Sequence, residues 1–260
     1  IGSFGSDSTR ISRDELFWLI AQGRAPGYSR YVPCGQKINV STTVMSDLTL
    51  IPNVDVIPYP NGIQCRIISD SANDTSNGTG VQTLRLVYLD TNYDVKSEVL
   101  TTNGLTAVNT VATNIQRIYW MSTITVGSNG VAVGNISLQN VAGTVTYEYI
   151  KLGGNKSLTC HFTVPNNKTG YVLAWQVSGK KQPVSIRIRA SADPYTGELT
   201  PGVFTFRSIV DLNNASSGLL IPIIPGKFSA RTDIKISAIA DLANGDAAGS
   251  FQIICVDNSA

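Results

Sequence analysis

Histidine occurs once, at His161, so triad or general-base chemistry built on histidine has to be centred there. It lies in Leu158-Thr159-Cys160-His161-Phe162-Thr163-Val164. Strand alternation puts Cys160 and Phe162 on one face of that run and Thr159, His161 and Thr163 on the other. Cys160 therefore cannot form a Cys–His couple with its neighbour, and His161 reads as a strand residue on a polar face. Oxygen ligands gather once, at Asp70, Asn73 and Asp74, without the spacing or bidentate Glu of an EF-hand loop. Asx residues favour turns on their own account. The other carboxylates, among them Asp90, Asp94, Asp193, Asp241 and Asp246, stand singly at turns rather than as a pair able to flank a sugar. The expectation is no catalytic residue, no metal ligand and no cofactor.

The remaining chemistry is equally sparse. Cys34, Cys65, Cys160 and Cys255 are far apart, without the CxxC spacing of a zinc site or the density of a disulfide framework. They read as buried reduced thiols. No P-loop or GxGxxG opens a helix. One basic cluster, Lys180-Lys181 with Arg187 and Arg189, falls on a strand whose Ile186 and Ile188 point inward. It lacks interleaved aromatics and reads as a solvated sheet face, not a nucleic-acid site. Asn-x-Ser/Thr sequons at Asn39, Asn73, Asn77, Asn135, Asn155, Asn167 and Asn214 fit chance in a chain so rich in Asn, Ser and Thr.

Composition agrees. In 260 residues only 15% are charged, and Lys+Arg 20 against Asp+Glu 18 leaves a net +2. That balance points to neither nucleic acid nor membrane as a partner. The richest apolar run, Leu16 to Ala21, is far shorter than a membrane span and lacks the flanks of a signal peptide. With 42% hydrophobic residues, the chain can bury a core.

The elements that must position these residues are nearly all strands. Ser12-Arg13-Asp14-Glu15 is a capping box, with Ile11 and Leu16 placed as a hydrophobic staple, and the helix should stop near Gly23. Its apolar residues run consecutively, so it needs burial on more than one side. Two placements satisfy this: a plug over its own sandwich, or an arm reaching a neighbouring subunit through Ile11, Leu16, Phe17, Trp18, Leu19 and Ile20. From Ile38–Val44 to Phe251–Val256 the pattern is short period-two runs broken by Asn-Gly and Gly-Gly turns. The fold class is all-β: a short N-terminal helical arm followed by two β-sandwich domains of jelly-roll or immunoglobulin-like type. Leu152-Gly153-Gly154-Asn155-Lys156 is the cleanest break, dividing the chain into an arm (1–37), a first sandwich (38–152) and a second (153–260).

One segment supports a resemblance. Asp74-Thr75-Ser76-Asn77-Gly78-Thr79-Gly80 leads into a strand, then into Tyr88-Leu89-Asp90, Ser97-Glu98 and Asn103-Gly104. Further on come Phe162-Thr163-Val164-Pro165 and Arg231-Thr232-Asp233-Ile234. This succession resembles a family of virion structural proteins of tailed phages, in which an Asp-Thr-x-x-Gly-Thr-Gly turn opens a strand. Here Tyr88 replaces the Gly of the family's Gly-Leu-Asp corner, and Asn167 stands where a later Gly is usual. The resemblance implies a non-catalytic virion component. With the low charge and the apolar arm, the leading expectation is an auxiliary, decorating capsid protein that forms a homo-oligomer, taken as a trimer, and contacts the major capsid protein. The alternative is a tail-fibre or receptor-binding protein gripping host glycan through Tyr59, Trp175 or Tyr195.

Overall fold

Ser12 starts the one helix among the described residues as its side chain dictates. In the computed structural model, which describes residues 12–213, 216–222 and 224–258, its hydroxyl accepts the Glu15 amide at 3.1 Å and α1 runs Arg13–Ala21. Asp14 and Glu15 in the first turn complement the helix dipole. Gly23, at φ 67°, ends it by donating to Ile20 O, and Arg24 N donates to Leu19 O. Ser12→Ala should cost about 1 kcal/mol of helix stability. Faster amide exchange confined to α1 would register the loss, and unchanged exchange there would refute it.

After α1 come β1 (Tyr28–Tyr31), β2 (Cys34–Val40) and β3 (Ser46–Asp47). A middle block follows: β4 (Cys65–Ser69), β5 (Val81–Asp90), β6 (Val95–Thr101), β7 (Val108–Asn109), β8 (Ile115–Val126), β9 (Ile136–Asn140) and β10 (Thr146–Ile150). The chain closes with β11 (His161–Thr163), β12 (Lys168–Lys180), β13 (Val184–Ala190), β14 (Thr205–Leu212), β15 (Ser217–Leu220), β16 (Gly226–Phe228), β17 (Asp233–Ala240) and β18 (Gly245–Asp257).

The pairing of these strands is nested. One sheet runs β2-β18-β12-β15, with β1 also on β18 and β16 also on β12. The facing sheet runs β3-β17-β13-β14, with β11 also on β17. Read as β2, β3, β12, β13, β14, β15, β17 and β18, this is the strand order of an eight-stranded jelly roll. Its core alternates as period two requires: Ile186 and Ile188 of β13 and Ile234 and Ile236 of β17 meet Trp175 of β12 and Phe251 of β18. The middle block is a second sandwich, sheets β10-β9-β4-β7 and β6-β5-β8 around Ile67, Leu84, Leu86, Met121, Ile136 and Leu138.

The all-β fold with two sandwiches therefore stands, but their succession along the chain needs correcting. Residues 28–47 hydrogen-bond to β17 and β18, so the strand at Ile38 does not open the first sandwich. The smaller sandwich is instead inserted between β3 and β11 of the larger one. Local pattern could not reveal this, because Val40 meets Gly245 and Ser46 meets Ala238 only when the Greek keys close. The strand at Tyr28–Tyr31, which the period-two reading left out, is fixed the same way by β18.

Candidate functional site

Where the two sandwiches meet, β17 is buried on both faces. Ile234, Ile236 and Ala238 face the jelly-roll core, so Asp233, Lys235 and Ser237 must point the other way, toward the insertion. Sheet register extends that row. His161 of β11 and Arg189 of β13 lie opposite Lys235, Thr163 opposite Asp233, and Asp47 of β3 opposite Ser237. The inserted sandwich and its connectors cover this row with Tyr59 and Arg117.

Two carboxylates organise the seam. Asp47, fully buried, accepts Lys235 Nζ at 2.8 Å, Arg189 Nη2 at 2.8 Å, Ser237 Oγ at 2.7 Å and the Ile57 amide at 3.0 Å. Asp233 takes a two-pronged bond from Arg117, Nε at 3.1 Å and Nη2 at 3.2 Å, and accepts the Thr163 hydroxyl at 2.5 Å. Arg117 belongs to the insertion and Asp233 to the jelly roll, so the pair ties one sandwich to the other. Tyr119 adds a second tie, its hydroxyl donating to Thr163 O at 2.5 Å while its ring stacks on Phe162. Desolvation pulls the Lys235 ammonium below its ordinary value, with Asp47 pulling the other way. The Lys235 ammonium also sits 4.1 Å from the centre of the Phe204 ring.

His161 lies on the face the sequence assigns to it, beside Thr163, but that face is sealed rather than solvated. Both ring nitrogens lack a hydrogen-bond partner, and the nearest ring is Tyr59 at 5.5 Å, whose hydroxyl is also unpartnered. Burial, with Arg117 and Lys235 nearby, lowers the imidazole to about 4 despite Asp233 and Asp47. Here the Asp233 oxygens are already held by Arg117 and Thr163, so the geometry is that of a clamp.

The other sequence candidates scatter. Asp74 is buried with four donors on its carboxylate, the amides of Val81, Val133 and Gly134 and the hydroxyl of Ser69, which makes it a folding hub of the insertion. Asp70 is likewise held, by the Asn135 amide and side chain. Of the basic cluster, Arg189 is drawn into the seam, Arg187 lies over Phe206 at 4.6 Å, and Lys181 pairs with Asp246 at 2.8 Å, so this strand face is not the solvated one expected. All four cysteines are free thiols, and burial raises Cys65 and Cys255 to about 12. Among the described residues no three His, Cys, Asp or Glu side chains group as a metal site.

The arm rests on its own subunit. Ile20 is buried, Leu16, Phe17 and Leu19 are half-buried, and Trp18 is 66% exposed. Leu16, Phe17 and Ile20 border a gap shared with Tyr171, Leu173 and Ile254 on the outer face of β12 and β18. Ile11 falls outside the described residues.

Sequence reading missed Glu148. The run Thr146-Tyr147-Glu148-Tyr149-Ile150 alternates without a break, yet a bulge between Thr146 and Glu148 turns this carboxyl into the protein, fully buried. Desolvation raises it to about 8, against hydrogen bonds from Thr159 and the Tyr149 amide and the charge of Lys156. No residue type in that run marks the bulge.

No protein-family model matches the chain, and no curated protein matches it. Solved structures give distant overlaps. One, of T=1 particles derived from infectious bursal virus, is 11% identical over 90% of this chain and 70% of the other, with a TM-score of 0.23. Another, of the Gt strain of infectious bursal disease virus, is 11% identical over 90% and 73%, with a TM-score of 0.21. Overlaps at these scores carry no argument, and the jelly-roll assignment rests on the strand order itself.

Among the described residues, one edge of the jelly roll carries no further strand. β14 ends one sheet and β15 the other, and along this edge Phe206, Ile209, Leu219, Ile221 and Ile224 are exposed. Beside them opens a cleft of about 720 Å³, with Trp175 and Phe228 at its floor, Arg207 on its wall and Tyr195, 96% exposed, at its lip.

Proposed function

We propose that this chain is a non-enzymatic structural subunit of a virus particle that works by associating with copies of itself. Jelly rolls serve capsids, lectins and cupins alike, so the fold alone does not choose among them. The bare edge carries the reading. From Leu212 to Gly226 the sequence holds no charged residue, and soluble edges are normally guarded by charge, bulges or cover. Large apolar side chains exposed together along a sheet edge mark contact sites. In the finer form of the proposal the subunit is an auxiliary capsid protein of a tailed phage, trimeric and seated on the major capsid protein, with Trp18 of the arm as a second contact.

The test is the association state. Sedimentation of the purified chain should give a concentration-dependent oligomer, and Leu219→Lys with Ile221→Lys should shift it to monomer while leaving the fold intact. A wild-type chain that stays monomeric at tens of micromolar would refute self-association. The cleft beside the edge favours a second reading, glycan binding. Of its three aromatic candidates, Trp175 is buried and Tyr59 lies under Arg117 at 4.1 Å, which leaves Tyr195. A glycan array with hits abolished by Tyr195→Ala would support that reading, and an array without hits would remove it.

A further inference from the structure

The chain leaves the jelly roll after Asp47 and returns at His161, and its two connecting passages cross at Thr49 and Thr159. The two hydroxyls lie 3.1 Å apart, and that of Thr159 also donates to Glu148 Oε1. Glu148 Oε2 is buried without a partner. Two residues beyond the crossing, His161 is buried with neither ring nitrogen bonded. Each therefore occupies the seam as a polar group whose charged form would have no water and incomplete hydrogen bonding. The charged group facing Glu148 is Lys156, from the returning connector. Those facing His161 are Asp233 and Lys235 of β17, Asp47 of β3 and Arg117 of β8, with the Tyr59 hydroxyl from the outgoing connector. The carboxylates of the clamp are already taken by Arg117, Thr163, Lys235, Arg189 and Ser237, so neither pairs with a charge placed on His161.

We propose that this seam is a proton-locked joint: uncharged Glu148 and uncharged His161 keep the inserted sandwich seated on the jelly roll, and a charge on either one unseats it. Opening the joint returns both groups to water. Glu148 then falls from about 8 to its ordinary 4.5, so closure is fully favoured below 4.5 and weakens as pH rises toward 8. His161 rises from about 4 to its ordinary 6.5, so closure is fully favoured above 6.5 and weakens as pH falls toward 4. Between 4.5 and 6.5 the two dependences oppose and cancel. Above that plateau only Glu148 acts, and the closed joint should lose about tenfold in its equilibrium per pH unit.

Hydrogen–deuterium exchange on the full chain, corrected for intrinsic rates, tests this. The amide crossing the seam is Asn166 to Tyr93 O, Ser157 to Met121 O ties the returning connector to the insertion, and the amides of the β12–β18 ladder report global unfolding. The expected result is flat seam protection between about pH 5 and 6.5, then a loss of about tenfold per unit toward 8, with the ladder unmoved. Glu148→Gln should abolish the alkaline loss, and His161→Gln should let protection rise on acidification instead of staying flat. Should Glu148→Gln fail to fold, Thr159→Val serves: it removes a hydrogen bond that favours the carboxylate, so the alkaline loss should extend to higher pH. Seam protection independent of pH from 5 to 9 overturns the proposal. So does an alkaline loss that persists in Glu148→Gln, or one that seam and ladder share equally.

Discussion

Asp47→Ala should destabilise the protein by about 3–5 kcal/mol, the range for removing one partner from a buried ion pair. The loss comes mainly from what stays behind. Lys235 and Arg189, whose side chains are nearly buried, would keep their positive charges with no carboxylate between them. Ser237 and the Ile57 amide would also lose their acceptor. Replacing Asp47 and Lys235 together by apolar residues of similar volume should recover part of the loss, because the stranded charge goes with its partner. Urea denaturation of the single and double variants checks both statements. A single variant within about 1 kcal/mol of wild type would mean that water reaches the seam and screens the cations.

Asp74→Ala should cost a comparable amount, about 2–6 kcal/mol, but in the inserted sandwich. Two buried backbone amides, the half-buried amide of Val133 and one hydroxyl converge on that carboxylate at 2.7–3.0 Å. Each buried amide left without an acceptor costs about 1–3 kcal/mol, while the half-buried amide and the rotatable hydroxyl regain partners. The loop sequence follows from this hub. A Cβ at Gly80 would come within 2.1 Å of Asp74 Oδ1, and one at Gly78 within 2.0 Å of Asn73 O, so both positions exclude any side chain. Limited proteolysis should then cut the insertion while β12 and β18 stay protected. Cleavage no faster than wild type would show that the hub is dispensable.

Some of this was legible in residue order alone. Ser12 and Glu15 fix the start of α1 because a cap acts within four residues. Alternation at Ile186 and Ile188 or Ile234 and Ile236 fixes which face each strand buries, because the strand period is a property of the backbone. The solitary histidine was legible as a strand residue beside Thr163, but its burial under the inserted sandwich was not. Even the Asp-Thr-x-x-Gly-Thr-Gly turn was visible as a unit, although its reason, four donors on one carboxylate, was not.

What only the tertiary structure decided is everything that depends on which strand lies next to which. Val40 and Gly245 are partners 205 residues apart, so strands from the two ends of the chain lie side by side in the jelly roll and the insertion hides in between. No local pattern encodes that closure, since each strand's alternation is satisfied by many partners. The same reason conceals the seam. Asp47, Arg117, His161, Arg189, Asp233 and Lys235 look like ordinary polar positions on separate strands, and they share one site only because register stacks four strands and the insertion closes over them. The polar face of a strand is read from sequence as facing water, but whether it meets water or another sandwich depends on the long-range pairing of the chain.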